Sequence, residues 1–503
     1  MQDPKDATDD TSEIDTKNHN LIYGIDDIPP PLEALTLGFQ HYLTMFGSTI
    51  AIPFIMAGPL GIQDDPVKLT QLISTMFLVS GICTLLQSTW GNRLPIIQGG
   101  TFSFLTPAIT ICGMAALKDS GFETKMHHIQ GAIIVGACVQ IAFGYLGLVG
   151  RMLRFVGPIT IAPTIALIGL SLYPFGASKA GEDWAIGGLT IFLIILFSQI
   201  LRKTHRMFEL FPVMLAILIA WGMAAIGTAS GYIAAGSASF VDFSKLDAAP
   251  WFSMPYPFQW ADAQGERWPV FAVPAIVGML AGVIASMVES IGDYYAAARL
   301  SGAPVPTPKI INRGIGMEGI GCFIAGCFGT GNGTTSYSEN IGAIGLTRVG
   351  SRRVVQMGAF VMMVLAIVGK FGGLFTTIPG PIVGGMYCAM FGMIASVGLS
   401  NLQFVDLNSS RNLFIVGFSF FMGLSIPHYF SSAPLDWFFS GCASHYAAID
   451  NSFAEQVITA ARDVINTLGK TGMAVGAFIA LVLDNVIPGT DEERGLNAWS
   501  AGH

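Results

Sequence analysis

Apolar residues run along this chain in stretches close to the twenty or so that a helix needs to cross a bilayer, with brief polar breaks between them from Leu35 to Pro488. The pattern predicts crossing segments near 34–57, 70–90, 98–116, 129–149, 156–175, 184–201, 208–230, 269–297, 314–329, 333–346, 354–374, 380–399, 412–426 and 471–487. That is fourteen, an all-helical polytopic plan with no room for a soluble domain. Two longer hydrophilic stretches, 231–268 and 427–470, follow the seventh and thirteenth segments. They carry Trp251, Trp260 and Trp437, as interfacial loops or short surface helices do.

Composition agrees that lipid is the main solvent: 52% of the 503 residues are hydrophobic and only 12% are charged. The formal charge of −8 is concentrated at the ends, in Asp3 to Asp15 and in Asp491, Glu492 and Glu493, which argues against nucleic acid as a partner. Residues 1–33 read as a cytosolic tail with no apolar signal region, closing in Pro29-Pro30-Pro31. Positive charge favours one side of the membrane. With the N-terminus in the cytoplasm, the inner loops hold Arg93, Arg151, Arg154, Arg202, Lys203, Arg206, Arg299, Lys309, Arg313, Arg348, Arg352 and Arg353. The seven cysteines, Cys442 among them, fall almost entirely in apolar runs, and Cys322 and Cys327 lack the partners of a zinc site. No cofactor is called for.

Two segments are too polar and too rich in glycine for ordinary spanning helices: Pro95 to Pro107 and Gly329 to Gly342, third in the first seven and third in the second seven. Broken segments in corresponding places point to a binding site between inverted repeats, because unwound backbone at membrane depth must be buried or line a cavity. Close packing of two glycine-rich helices is the alternative.

Charge at a helix centre costs at least roughly 2.5–3.5 kcal/mol on insertion scales, so each acid there needs a partner or a task. Glu289 and Asp293 share one helical face, an arrangement that repels unless a cation or a hydrogen-bond donor lies by them; the alternatives are a protonated acid or a reach to the inner interface. Glu339, beside Asn340, either caps a half-helix or faces a cavity together with Glu289. Ionised carboxylates only accept hydrogen bonds, so a ligand held by this pair offers N–H groups. Gln40 and His41 lie in the first apolar run, where a lone histidine is more often a core residue. Glu318, Lys370 and Asp484 read as helix-end groups or structural pairs.

Glu339-Asn340-Ile341-Gly342 followed at four residues by Thr347-Arg348 matches the signature of the nucleobase-ascorbate transporter family, and the chain resembles that family from Tyr23 to Gly495. Gln40-His41 matches a second family motif. The run Glu289 to Tyr295 resembles the animal sodium-coupled branch, as do Ile311 to Gly314, Gly329 to Gly333 and Gly398 to Phe404.

The resemblance implies two inverted repeats of seven segments, with short strands in segments three and ten. A substrate-bearing core (34–149 and 269–374) would move like an elevator against a homodimeric gate (150–268 and 375–490), with a C-terminal tail at 491–503. It implies that Glu289 and Glu339 hold substrate, that Phe102 stacks on its ring, and that Ser103, Ser338 and Asn340 complete the site. Asp293 and His41 then serve the sodium site or its support. Phe102 and Phe104 lie on one face of an extended segment, so period alone does not separate them; the choice of Phe102 comes from the resemblance. Mammalian ascorbate carriers of the family have Pro where this chain has Glu339. Two carboxylates disfavour anionic ascorbate and suit a neutral nucleobase such as uracil, xanthine or hypoxanthine. The expected activity is therefore sodium-coupled nucleobase uptake at the plasma membrane, with ascorbate, or proton coupling, as the other readings. A channel has no use for the paired acids, and no nucleophile and base are in reach for an enzyme.

Overall fold

A computed structural model of the chain describes residues 21–152, 155–432 and 452–496. The first twenty residues of the tail, Arg154, Trp437 and Cys442 lie outside them. The main elements are α1 (Pro31–Leu60), α2 (Pro66–Thr89), β1 (Gln98–Gly100), α3 (Leu105–Cys112), α4 (Phe122–Tyr145), α5 (Pro158–Ser171), α6 (Trp184–Ile195), α7 (Pro212–Ala229), α8 (Val273–Ser301) and α9 (Pro308–Phe328). They continue with β2 (Thr334–Ser336), α10 (Ser338–Thr347), α11 (Arg352–Ile367), α12 (Gly380–Ser400), α13 (Ser410–Ser432), α14 (Ser452–Gly469) and α15 (Gly472–Val486).

Eight helices among the described residues are long and apolar enough to cross a membrane, and a ninth passage arises if the end of α14 and α15, bent by 88°, act as one. The protein is a multi-pass membrane protein. Helix ends follow local chemistry. Proline opens α1, where its missing N–H costs nothing, and Gly61 closes it at φ 76°. Asp65 caps α2 by accepting from the N–H groups of Val67 and Lys68.

The helices pack in two groups. Helix α4 lies along α8 and α9, and α11 lies along α1 and α2; in the other group α5, α13 and α15 pack on one another, and α12 packs on α5 and α6. Small residues permit the closest crossing. A Cβ on Gly144 of α4 would sit 2.3 Å from the Gly316 nitrogen of α9, so any side chain there would force the two helices apart.

The two broken segments meet at the centre of the first group. β1 and β2 pair antiparallel, with Gln98 opposite Ser336, Gly99 opposite Thr335 and Gly100 opposite Thr334. All six residues are buried. The pairing satisfies backbone groups that lipid cannot. The strand ends at Gly100, and Phe102–Phe104 form one tight helical turn before α3. This corrects the expectation that Phe102 and Phe104 share a strand face. The turn separates them: Phe104 is 0% exposed, while Phe102 is only partly covered.

Candidate functional site

Helix α8 carries the chemistry of the site on consecutive turns. Asp293, 7% exposed, accepts from the Ser336 hydroxyl at 2.6 Å and the Ser338 hydroxyl at 2.9 Å. One hydroxyl therefore comes from β2 and the other from the first residue of α10. Glu289, a turn earlier, is half-buried and makes no hydrogen bond or ion pair with a described residue. It lies within electrostatic reach of Asp293, Glu339 and Glu318.

Glu318, in the middle of α9, decides between the two readings the sequence left open, a helix end or a structural partner. It is not an end group. It is 2% exposed and takes hydrogen bonds from Ser290 at 2.7 Å and Tyr294 at 2.8 Å. Ser290 also meets the Thr335 hydroxyl at 2.9 Å, and its oxygen lies 3.2 Å from that of Ser336. A chain of hydroxyls thus joins Glu318 to Asp293, and Gln87 extends it by donating to the Tyr294 oxygen at 2.7 Å. A lone acid in the interior of a membrane helix was the available signal.

Glu339 sits in the first turn of α10, and its Oε1 accepts from the Ser48 hydroxyl of α1 at 2.6 Å. The residue before the helix, Tyr337, gives no side-chain cap, so the first N–H groups of α10 are left without one. Tyr337 instead receives the Thr49 hydroxyl at 3.2 Å, and its ring covers Gly99, where a Cβ would lie 2.5 Å from it. Glu339 lines a cavity of about 220 Å³ together with Leu43, Ser48, Phe211, Met390 and Met393, between α1 and α10 on one side and α7 and α12 on the other. Glu289 does not line this cavity.

The remaining candidates fall in two places. Phe102 points toward α12, where its ring meets Phe391 edge-on at 6.1 Å. Ser103 is fully buried, and both its hydroxyl and its N–H engage Thr101. His41 and Asn340 form a contact of their own: the Asn340 amide donates to the His41 carbonyl at 2.8 Å and lies 3.3 Å from its ring Nδ1. His41 therefore braces α1 against α10 and has no hydrogen bond with Asp293. The Asn340 side-chain oxygen is buried without a partner, as is the whole amide of Gln98, the residue paired with Ser336.

None of Glu289, Asp293, Glu318 and Glu339 forms an ion pair with a described residue. Hydroxyls stabilise an anion by donating, but they do not cancel its charge. Among the described residues the cluster has no built-in counter-ion.

A family model described as a permease family matches residues 32–432. Solute carrier family 23 member 2 of Rattus norvegicus is 44% identical over 99% of this chain and 79% of its own length. Nucleobase-ascorbate transporter 2 of Arabidopsis thaliana is 40% identical over 95% of this chain and 91% of its own. The fold is similar to a solved structure of SLC26A9, with a TM-score of 0.57 at 13% identity over 78% of this chain and 62% of that one. The signature around Glu339, the matched span and these relatives agree: the chain belongs to the nucleobase-ascorbate transporter family, the permeases that include solute carrier family 23.

Proposed function

We propose that the protein is a secondary active transporter that couples inward sodium movement to uptake of a nucleobase. The observation that carries this reading is the set of carboxylates on α8, α9 and α10 with no basic partner. Glu289 and the second oxygen of Glu339 are acceptors without donors, and a base with N–H groups supplies donors. The uncapped N–H groups at the start of α10 suit its carbonyl oxygens. Phe102, which faces α12 and is only partly covered, offers a ring face to a planar ligand.

Asp293 takes the cation. Its carboxylate and the hydroxyls of Ser336, Ser338 and Ser290 make an oxygen-rich neighbourhood, which suits a hard ion. His41 supports this arrangement indirectly, by holding α1 to α10. Sodium entry contributes roughly 2.3 kcal/mol per charge per 100 mV of membrane potential, enough to drive accumulation.

The broken segments occupy the third place in each half, which supports the reading of fourteen segments in two inverted repeats. In that reading α1 to α4 and α8 to α11 are the moving core, and the cavity beside Glu339 separates it from a gate that includes α7 and α12. The gate would pair in a homodimer at the plasma membrane, with the N-terminus in the cytoplasm. Ascorbate is the competing substrate, since relatives in Arabidopsis thaliana are named for both compounds. Radiolabelled uracil, xanthine, hypoxanthine and ascorbate, offered to cells or liposomes with and without sodium, decide the matter. Sodium-dependent uptake of a base is the expected result. Uptake of ascorbate alone, or uptake that ignores sodium, contradicts the proposal.

A further inference from the structure

Hydroxyls on the helices of this protein mostly return their proton to the backbone one turn earlier: Thr44 donates to the Gln40 carbonyl, Thr75 to Gln71, Ser88 to Thr84, Thr164 to Thr160 and Ser419 to Ile415. That local bond is the default for Ser and Thr in an apolar environment. Ser48 departs from it. Only 4% exposed, it gives its proton to Glu339 Oε1 at 2.6 Å, across 291 positions of sequence. No other hydrogen bond to that carboxylate comes from a described residue, and both side chains line the same cavity.

We infer that Ser48 is a positioning residue for substrate recognition. A glutamate in the first turn of a short, uncapped helix has several rotamers open to it. Fixing one oxygen to α1 selects one of them and turns the other oxygen toward the cavity. The bond is charge-assisted and short, so it is strong enough to hold that choice. The neighbouring Thr49–Tyr337 contact fixes the strand end from which α10 starts, so the carboxylate and its helix are aligned by two consecutive residues of α1. Ser48 therefore acts through Glu339 on how well the ligand's N–H is met. The inference depends on Glu339 holding the substrate, but not on which substrate is carried.

The test compares uptake kinetics of Ser48→Ala, Ser48→Thr and Thr44→Ala, using whichever of radiolabelled uracil, xanthine, hypoxanthine or ascorbate the wild-type protein carries. Ser48→Ala is expected to raise KM about tenfold, the scale of one charge-assisted hydrogen bond, with kcat per surface molecule near wild type. Ser48→Thr keeps the hydroxyl and restores most of the affinity. Thr44→Ala, one turn away on the same wall but bonded to its own backbone, shifts KM several-fold less. If Ser48→Ala abolishes uptake, equilibrium binding of the same compound to purified protein reads the same shift in Kd. The inference is overturned if Ser48→Ala lowers kcat at unchanged KM, if Thr fails to rescue, or if Thr44→Ala has an equal effect. Loss of binding in Glu339→Gln alongside an unaffected Ser48→Ala would leave the substrate site standing and remove only the role of Ser48.

Discussion

Buried carboxylates occur in two regions of this protein and are treated in opposite ways. Near its C-terminus, Asp484 of α15 has a side chain with 0% exposure and is held by two arginines: Arg411 at 3.0 Å and Arg494 at 3.0 Å. Arg411 also donates to the Asp484 and Ile487 carbonyls, and Asn412 beside it donates to the carbonyls of Asp406 and Glu493. In the centre of the other helix group, the described residues give Asp293 and Glu318 only hydroxyl donors and give Glu289 none. The first arrangement neutralises its charge permanently. In the proposed function, a transported cation or a donor ligand balances the second. Burial without a basic partner, rather than burial alone, is what makes an acid a candidate for function.

The contrast is broken most forcefully at Asp484. Asp484→Ala strands two buried guanidinium groups, and thermal unfolding of the purified protein should report a loss of about 3–5 kcal/mol. Phe104→Ala belongs with it, as a cavity at a fully buried site costing about 3–5 kcal/mol. Glu318→Gln should destabilise less than Asp484→Ala, since the amide oxygen keeps one of the two accepted hydrogen bonds while a charge without a basic partner is removed. Equal destabilisation by Glu318→Gln and Asp484→Ala would erase the distinction between the two regions.

The next effect is on transport. Glu289→Gln and Glu339→Gln each remove an anionic acceptor, and losing a charged hydrogen bond costs about 1.5–3 kcal/mol. Substrate uptake should therefore fall roughly ten- to a hundredfold, with surface expression intact. Near-normal affinity in both variants contradicts the assignment of the site. Phe102→Ala should act more mildly, weakening binding by about 0.5–1.5 kcal/mol at unchanged stability. A Kd from equilibrium binding, read beside a melting curve, separates it from Phe104→Ala.

The broad plan was legible from hydropathy, because spanning helices must be apolar whatever else they do. The two broken segments were legible too, from Pro95, Pro107 and the glycines between Gly329 and Gly333, which make poor helices. What sequence did not reveal depends on contacts between distant elements. Glu318 read as an end group or a structural partner, and its partners, Ser290 and Tyr294 of α8, were not readable before the fold placed them. Ser48 had no sequence signal at all; it is one hydroxyl among many, distinguished only by where its proton goes. The resemblance placed His41 at the sodium site or its support, and its contact with Asn340 was not readable from the sequence. The turn at Phe102–Phe104 was missed because a three-residue strand followed at once by a helical turn has no periodicity long enough to read.

If a transported cation balances the acids without basic partners, Asp293 is the residue whose loss should show it. Substrate-evoked current should be recorded in sodium and with choline replacing it at constant pH, for the wild type and for Asp293→Asn, with a sodium titration of each. The account predicts inward current and uptake that require sodium in the wild type, and loss of both, or loss of their sodium dependence, in Asp293→Asn at normal surface expression. Wild-type uptake that follows an imposed proton gradient and is indifferent to sodium, or an Asp293→Asn protein with an unchanged sodium titration, contradicts it.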